Sequence, residues 1–253
     1  MPRIAVICGT GMSAFSHSLA SETNARLDSM TAESQWGEVP ITSVKHKMGW
    51  VFVIDRHHSS TGPRTPPHAI EHRANVHAAA SCKPDLIVSV NSVGSMLGSM
   101  PPGTIGIASG ILDLAIKPWT FHDVDSSHAD RTSPFDQRYS NYCEKVLAEK
   151  QGETPIGLVV AQCIGPQFES PSEIDALEKL GAHVVGMTLG PEQRLVSETG
   201  IAHISLPCSS NWAAGRTPGE PDSKIDHENV DEMASQMRDL VASCVLALLD
   251  ELT

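Results

Sequence analysis

The sequence has few cationic side chains and no long apolar run. Only 18 lysines and arginines stand against 30 aspartates and glutamates, so the formal net charge is -12. We expect no nucleic-acid partner, because binding to a phosphate backbone depends on many cationic contacts. No apolar stretch reaches the ~20 residues that cross a bilayer, and the amino terminus enters a strand pattern without a signal peptide. We therefore expect no membrane partner and a cytoplasmic location.

Paired cysteine motifs are also missing. None of the six cysteines forms a C-x-x-C pair, and several lie within apolar runs. This distribution is typical of reduced thiols in a protein core. Internal repeats and low-complexity segments are absent from the sequence as well. With 253 residues, 40% of them hydrophobic, the chain is expected to form one domain spanning 1–253, since α/β folds of roughly this size often stay single.

What the sequence does contain is a repeated strand–turn–helix pattern. Apolar runs predict strands at 3–7, 41–44, 50–55, 85–90, 104–107, 111–114, 158–164, 183–186 and 201–206. Helical spacing predicts helices at 71–81, 171–180 and 191–199, and one continuous helix at about 227–252. The order indicates an α/β fold, a single domain with a central mixed β-sheet flanked by helices. The long polar segment 117–142 is expected to be an irregular functional or interface loop.

The segment 165–173, reading G-P-Q-F-E-S-P-S-E, is the most informative motif. Ser170 is predicted as a helix N-cap, with Pro171 at the first helical position and Glu173 completing a capping box. Phe168 and Glu169 are then held between a strand and a helix. That arrangement suits a flat heterocycle that stacks on the ring and donates an N–H to the acid. The alternative is a surface loop that serves only the capped helix.

A glycine turn follows the first predicted strand. In Gly9-Thr10-Gly11, backbone N–H groups can face an anion. Together with Ala14 the turn also matches G-x-G-x-x-A, the dinucleotide fingerprint. That fingerprint needs a second strand, and residues 16–34 are polar and broken, so we expect none there. An NAD(P)-binding oxidoreductase is kept as the alternative from outside the favoured class.

Polar side chains gather at six predicted strand ends, namely Thr10, Arg56 with His57, Asn91 with Ser92, Glu169, Thr188 and Asn211. Hydroxyls, one guanidinium and one imidazole among them are donors suited to a phosphate-sized oxyanion. Phe168, Glu169 and Asn211 are suited to a purine. Arg56 could instead form a surface ion pair of little energetic weight. His122 and His128 match no metal-ligand spacing, so no metal is expected.

Taken together, these motifs resemble a known family. They are G-T-G-M at 9–12, R-H at 56–57, P-P-H at 66–68, R-A-N at 73–75, V-N-S-V-G-S at 90–95, G-P-Q-F-E at 165–169, V-G-M-T at 185–188, P-E at 191–192 and S-N at 210–211. Their order is similar to that of the trimeric purine nucleoside phosphorylases. The branch most resembled holds the methylthioadenosine and methylthioinosine phosphorylases, and the resemblance spans residues 3–250.

The resemblance implies reversible phosphorolysis of a purine nucleoside, with inorganic phosphate as co-substrate and no cofactor. It assigns phosphate binding to Thr10, Arg56, His57, Asn91, Ser92 and Thr188. It places Phe168 against the base, Met187 under the ribose, and Asn211 with Glu169 as the catalytic pair on the base. His128 matches a residue that reaches the neighbouring subunit's site, so a homotrimer or a dimer of trimers is expected.

Two specificity questions follow from the resemblance. Glu169 can accept the N1–H of a 6-oxopurine and the Asn211 amide can donate to O6, whereas methylthioadenosine enzymes typically carry a small hydroxyl and an Asp there. A 6-oxopurine such as 5′-methylthioinosine, inosine or guanosine is therefore favoured, with 5′-methylthioadenosine as the alternative. His227 or Val230 meets the 5′ group, and the branch motifs favour Val230 and a methylthio pocket. Departures from the family pattern at Cys8, His58 and His72 leave a catalytically silent binding protein as a third hypothesis.

Overall fold

A computed structural model describes residues 1–23, 25–59, 62–114, 117–125 and 127–253. The strands are β1 Arg3–Cys8, β2 Arg26–Ser34, β3 Gly37–Lys45, β4 Trp50–Asp55, β5 Leu86–Ser95, β6 Ala108–Leu112, β7 Leu158–Gln162, β8 Val184–Gly186 and β9 Ala202–Trp212. The α-helices are α1 Phe15–Thr23, α2 His72–Ser81, α3 Gln137–Gln151, α4 Pro171–Lys179, α5 Leu189–Thr199, α6 His227–Gln236 and α7 Arg238–Glu251.

The strands described here form one mixed sheet. Its order is β2-β3-β4-β1-β5-β8-β7-β6, and β9 pairs with β5 outside this path. β1 runs parallel to both of its neighbours, β4 and β5, while β2, β3 and β4 form antiparallel pairs at one edge. The predicted α/β class with a mixed central sheet is confirmed. Because β1, β4 and β5 run in the same direction, their carboxyl ends meet at one edge of the sheet, where ligands of such folds bind.

Helices cover both faces of the sheet. Successive residues of β1 point to opposite sides: Ile4 and Val6 pack in one core cluster with α1, α3 and α7, whereas Ala5 and Ile7 pack in another with α2 and α5. All four side chains are fully buried. Burial on both faces explains why these strands are continuously apolar instead of alternating.

Local signals in the sequence correctly predicted several helix ends. Ser170 and Glu173 form the predicted capping box at the start of α4, and Pro171 is its first residue. Gly181 follows the end of α4 with φ 90°, and Gly200 ends α5 in the left-handed conformation with φ 69°. These ends depend on side-chain and backbone chemistry within a few residues, which the sequence contains in full.

The prediction of one continuous carboxyl-terminal helix was wrong. The segment divides at Met237 into α6 and α7. The apolar spacing that suggested one helix runs through the break, because Val230, Ala234, Met237, Val241 and further residues are all buried. The break lets α6 pack on β9 while α7 packs on α1 and α3. The apolar periodicity of the sequence shows which face of a helix is buried, but it does not show where the helix axis changes direction.

The predictions for 16–34 and for 104–107 were also wrong. α1 ends at Thr23 and β2 occupies Arg26–Ser34, so a strand does follow the glycine turn. β2 is antiparallel to β3 at the sheet edge, however, so it is not the parallel second strand of a dinucleotide unit. Residues 104–107 form only an isolated bridge, Ile105 to Cys208. Their backbone groups are divided among several partners, because Thr104 and Gly106 bond to β9, Ile105 to the Gln151 side chain and Ile107 to Pro155 and Leu158.

Three further boundaries differ from the prediction. The irregular segment predicted at 117–142 ends earlier, since α3 begins at Gln137 and Asp136 caps it. β5 continues to Ser95 and β9 to Trp212, so Asn91, Ser92 and Asn211 lie within strands and not beyond them. A register shift between Val93 and Gly94 interrupts the ladder near these residues. Both strands continue beyond their apolar residues through segments that consist mostly of small residues.

Candidate active site

A cavity of about 680 Å³ opens at the carboxyl end of β1 and β4. Eleven of the predicted site residues line it: Thr10, Arg56, His57, Ser92, Phe168, Glu169, Met187, Thr188, Asn211, His227 and Val230. They come from segments far apart in the chain, and the fold brings them to one place. Asn91 lies behind the wall and is buried, and His128 is exposed and does not line the cavity of its own chain.

Arg56 is held in place by protein groups. Its Nε lies 2.5 Å from Oε1 of Glu192, and its Nη2 lies 3.3 Å from Oε2 of the same residue. Nη1 donates to the Val90 carbonyl and Nη2 to the Ile7 carbonyl. The hypothesis that Arg56 forms a surface ion pair is wrong, because the side chains of Arg56 and Glu192 are only 2% and 0% exposed. Of the five guanidinium N–H groups, one on Nη1 is left without a protein acceptor among the described residues.

Asn91 links that ion pair to Thr188. Its Nδ2 donates to Oγ1 of Thr188 at 2.9 Å and lies 3.4 Å from Oε2 of Glu192. Thr188 is the N-cap of α5, and its side chain makes no capping bond to the helix. Its hydroxyl proton is therefore available to a ligand at a helix amino terminus, where backbone dipoles favour an anion.

His57 is a neutral imidazole whose two nitrogens have distinct roles. Its Nδ1 lies 2.7 Å from the Thr65 carbonyl, so Nδ1 carries the proton and donates. Burial, followed by the adjacent Arg56 guanidinium, lowers the pKa of His57 to about 4. Nε2 is then an acceptor near neutral pH. With this tautomer, Nε2 offers an acceptor where the sequence suggested a donor, and it can accept a hydrogen bond from the P–O–H group of hydrogen phosphate.

The glycine turn offers fewer free N–H groups than the sequence suggested. The Gly11 N–H donates to Oδ1 of Asp231 in α6 at 2.7 Å. Arg238 Nη2 donates to the Gly11 carbonyl at 2.9 Å. The turn is thereby fastened to the carboxyl-terminal helices, and Thr10 is the member of it that faces the cavity.

At the other end of the cavity, the turn after β7 presents an aromatic ring and an acid. Gly165 has φ 68°, a left-handed conformation that glycine adopts without strain, and a Cβ there would lie 2.5 Å from Sδ of Met187, the residue after β8. Phe168 lines the cavity and is 38% exposed, so part of its side chain can contact a ligand. Burial raises the pKa of Glu169, while hydrogen bonds from its own backbone and from the Cys163 thiol oppose the rise.

Asn211 is oriented by two neighbours. Its Oδ1 accepts from Ser210 Oγ at 3.1 Å, and its Nδ2 donates to the Trp212 carbonyl at 2.7 Å. Ser92 Oγ donates to Ser210 Oγ at 2.6 Å, which connects the predicted phosphate side of the cavity to the predicted base side. One amide hydrogen of Asn211 remains for a ligand acceptor.

The third part of the cavity is bordered by α6. Val230 is buried, whereas His227 is exposed, and both line the cavity. The wall here also contains three acids of the same helix, Glu228, Asp231 and Glu232. An apolar side chain therefore occupies the inner position and an imidazole the outer one.

The departures from the family pattern have local explanations. His58 Nε2 lies 3.0 Å from Oδ1 of Asn75, and Nδ2 of Asn75 donates to the Arg56 carbonyl at 3.1 Å. Hydrogen bonds thus join the R-H-H segment at 56–58 to the R-A-N segment at 73–75, behind the cavity. Cys8 is 1% exposed in the core and does not line the cavity, and burial raises the pKa of its thiol to about 12.

Sequence reasoning gave no role to several residues of this site, among them Glu192, Ser210 and Arg64. Glu192 and Ser210 were present within quoted motifs, P-E and S-N, but neither was assigned a role. A proline before an acid gives no sign that the acid will be buried against Arg56. Arg64 lies in a loop without periodicity, so nothing in the sequence placed it on the cavity wall.

Other candidate sites are weaker. A second cavity of about 770 Å³ lies where β6, β7 and β9 begin, and none of the predicted site residues lines it. Among the described residues, no group of three or more His, Cys, Asp or Glu side chains could hold a metal ion. No helix in the described part of the chain is long and apolar enough to span a membrane.

The profile of the phosphorylase superfamily matches residues 3–249. The chain belongs to this superfamily. Among curated relatives of this phosphorylase, a probable 6-oxopurine nucleoside phosphorylase of Thermococcus kodakarensis is 34% identical, over 93% of this chain and 87% of the relative. A probable S-methyl-5′-thioinosine phosphorylase of Methanothermobacter thermautotrophicus is 32% identical, over 85% and 75%. The resemblance inferred from the motifs is confirmed.

Solved structures have the same fold as this phosphorylase. A methylthioadenosine phosphorylase from an antarctic soil metagenomic library has a TM-score of 0.83 at 22% identity, over 99% of this chain and 87% of that one. The Schistosoma mansoni methylthioadenosine phosphorylase, solved with adenine, has a TM-score of 0.85 at 17% identity, over 99% and 92%. At these identities the likeness establishes the fold alone.

Proposed function

We propose that this phosphorylase cleaves the N-glycosidic bond of a 6-oxopurine nucleoside with inorganic phosphate, releasing the free base and a ribose 1-phosphate. The observation that carries the proposal is the joining of two kinds of surface in one cavity. Candidate oxyanion ligands, including Thr188 at the start of α5, line the same cavity as Phe168, Glu169 and Asn211. A nucleoside and phosphate need both surfaces at once.

The proposed chemistry places charge where this cavity can stabilise it. As the glycosidic bond breaks, the ribosyl group becomes cationic and the base gains negative charge. Phosphate bound near Thr10, Arg56 and Thr188 offsets the first charge, and the Asn211 amide donates to the N7/O6 edge to spread the second. His57 Nε2 accepts a hydrogen bond from the P–O–H group of hydrogen phosphate, which orients the attacking oxygen. Inorganic phosphate is the co-substrate, and the proposal needs no other cofactor.

The choice of base rests on Glu169 and Asn211. An ionised Glu169 accepts the N1–H of a 6-oxopurine, whereas the unprotonated N1 of adenine would leave that half-buried carboxylate unpaired, at a cost of about 1–3 kcal/mol. The curated relatives with the names given above act, by those names, on 6-oxopurine nucleosides or on S-methyl-5′-thioinosine, which supports the same preference. 5′-Methylthioadenosine remains the alternative substrate, because the solved structures with this fold include methylthioadenosine phosphorylases.

The 5′ substituent is proposed to be methylthio. Val230 is the buried residue of α6 at the cavity, and an apolar contact there favours a thioether over a hydroxyl. His227 is exposed at the outer position. We further propose that the enzyme assembles as a homotrimer or a dimer of trimers. The exposed position of His128, outside its own cavity, supports a role for it in a neighbouring subunit's site.

Purified protein incubated with 5′-methylthioinosine, inosine, guanosine and 5′-methylthioadenosine, with and without phosphate, tests the proposal. We expect phosphate-dependent release of hypoxanthine, fastest from 5′-methylthioinosine, measured by chromatography of the free base. Equal turnover without phosphate would make the protein a nucleosidase, and rapid turnover of 5′-methylthioadenosine alone would reject the base assignment. No turnover of any nucleoside would favour the silent binding protein. Fluorescence titration with a reduced nicotinamide cofactor, for which we expect no binding, tests the dinucleotide alternative.

A further inference from the structure

The cavity proposed to take phosphate has an acidic wall. Its ionisable acids are Glu169, Glu228, Asp231 and Glu232, and its two arginines are Arg56 and Arg64. The charge of Arg56 is offset by Glu192, since both side chains are buried and in contact. A divalent anion therefore needs a further cation in this cavity, because like charges repel strongly where solvent screening is weak. Arg64 is the lining cation that is not paired with a buried carboxylate.

The backbone around Arg64 is fixed next to the predicted phosphate ligands. The N–H of Thr65 donates to the His57 carbonyl at 2.9 Å, and Thr65 Oγ1 donates to the His58 carbonyl at 2.7 Å. The same Thr65 supplies the carbonyl that accepts from Nδ1 of His57. These bonds place the residue before Thr65 beside the imidazole, and Arg64 lines the cavity together with Thr10 and His57.

The guanidinium of Arg64 has capacity for a second partner. Its Nη2 donates to Oδ1 of Asp55 at 2.9 Å, and the same oxygen accepts from the His57 N–H at 3.0 Å. That is the one side-chain hydrogen bond of Arg64 to the described residues. The two side chains are 44% and 36% exposed. An ion pair this exposed contributes little, so a bound anion can compete for the guanidinium.

We propose that Arg64 is a second phosphate-binding residue, which donates from its free N–H groups to the anion held beside His57. The inference rests on the proposed function for the identity of the anion. In this arrangement, Arg64 supplies a cation whose carboxylate partner, Asp55, is exposed and screened by solvent, whereas the partner of Arg56 is buried. Asp55 orients the guanidinium and the His57 backbone from the same oxygen. A planar guanidinium suits two phosphate oxygens at once.

The test compares Arg64→Gln with Arg138→Gln, a matched loss of an exposed arginine that pairs with Glu251 far from the cavity. We expect Arg64→Gln to raise the KM for phosphate about tenfold, the usual scale of one charge-assisted hydrogen bond. The KM for the nucleoside and kcat at saturating phosphate should change less than twofold. Arg64→Lys, which keeps the charge without the planar fork, should fall between wild type and Arg64→Gln.

Calorimetric titration with inorganic phosphate gives a readout that does not depend on turnover. We expect Arg64→Gln to weaken phosphate binding about tenfold and Arg138→Gln to leave it unchanged. If the wild type is an active phosphorylase and Arg64→Gln binds phosphate as tightly as wild type, the role of Arg64 is rejected while the proposed function stands. If the wild type shows no phosphate-dependent turnover, the proposed function fails, and the titration still decides whether Arg64 holds an anion. Absence of phosphate binding by the wild type would overturn the assignment of Arg64.

Discussion

Arg56 and Glu192 form an ion pair that is closed to solvent, with Nε of the arginine 2.5 Å from Oε1 of the glutamate. The pair joins the end of β4 to the first turn of α5. One N–H of Arg56 has no acceptor among the described residues, and the pair fixes its direction. Arg56 therefore stabilises the fold as well as lining the cavity, so a loss of activity in an Arg56 variant can arise from a loss of stability.

Glu192→Ala should destabilise the fold. The substitution leaves the Arg56 guanidinium buried without its counter-charge, which typically costs about 3–5 kcal/mol of unfolding free energy. Urea denaturation of the two proteins measures the difference. Glu251→Ala is the control, since it removes the partner of an arginine that is 67% exposed and should cost less than about 1 kcal/mol. Equal losses of unfolding free energy in the two variants would show that the buried ion pair stabilises the fold no more than the exposed pair does.

Glu169→Gln should reduce the preference for a 6-oxopurine. The neutral amide can accept from N1–H or donate to an unprotonated N1, so it no longer leaves an unpaired carboxylate against adenine. We expect the ratio of kcat/KM for 5′-methylthioinosine over 5′-methylthioadenosine to fall about tenfold. Glu173→Gln, at an exposed capping box on the same segment, should keep the wild-type ratio. A preserved ratio in Glu169→Gln would contradict the assigned role.

Val230→Ser should lower the preference for a 5′-methylthio group over a 5′-hydroxyl. The buried valine is replaced by a smaller polar side chain, and one lost apolar contact of this kind is worth about 1–3 kcal/mol of discrimination. The measurement is kcat/KM for 5′-methylthioinosine relative to inosine. His227→Ala serves as the comparison and should leave the ratio near that of the wild type. A selective loss of inosine activity in His227→Ala would instead assign the 5′ contact to the histidine.

Stability should fall as pH is lowered from about 6.5 toward 4. Burial lowers the pKa of His72 and His203 to about 3, and burial with Arg56 lowers that of His57 to about 4. In this window the unfolded chain binds protons that the folded chain does not, so the free energy of unfolding rises with pH. Each histidine contributes a slope of up to about 1.4 kcal/mol per pH unit.

His72→Phe tests that explanation. His72 packs edge-on against Trp119, and its Nδ1 has no partner among the described residues, so a phenyl ring can replace it without a lost hydrogen bond. We expect the slope of unfolding free energy between pH 4.5 and 6 to decrease by about 1.4 kcal/mol per pH unit. Urea titrations at several pH values measure it. An unchanged slope would mean that His72 is not buried in its neutral form.

Many residues of the site could be predicted because they lie in short motifs whose residues are close together in the sequence. Phe168 and Glu169 stand in one turn, and the capping box beside them needs only Ser170 and Glu173. The same local logic failed at Met237, where apolar spacing continues across a change of helix axis. It also failed at Asn91 and Asn211, because small residues carry β5 and β9 further than apolar periodicity indicates.

The sequence by itself determined the α/β class, the family and eleven of the side chains that line the cavity, since periodicity, caps and motifs are properties of neighbouring residues. The tertiary structure alone decided which of those side chains are free to act. Arg56 is bound by Glu192, Gly11 by Asp231 and His57 by the Thr65 carbonyl, over separations that no local pattern encodes. Polar groups acquire their hydrogen-bond partners only when the chain has folded, because a polar group that is buried without a partner costs free energy.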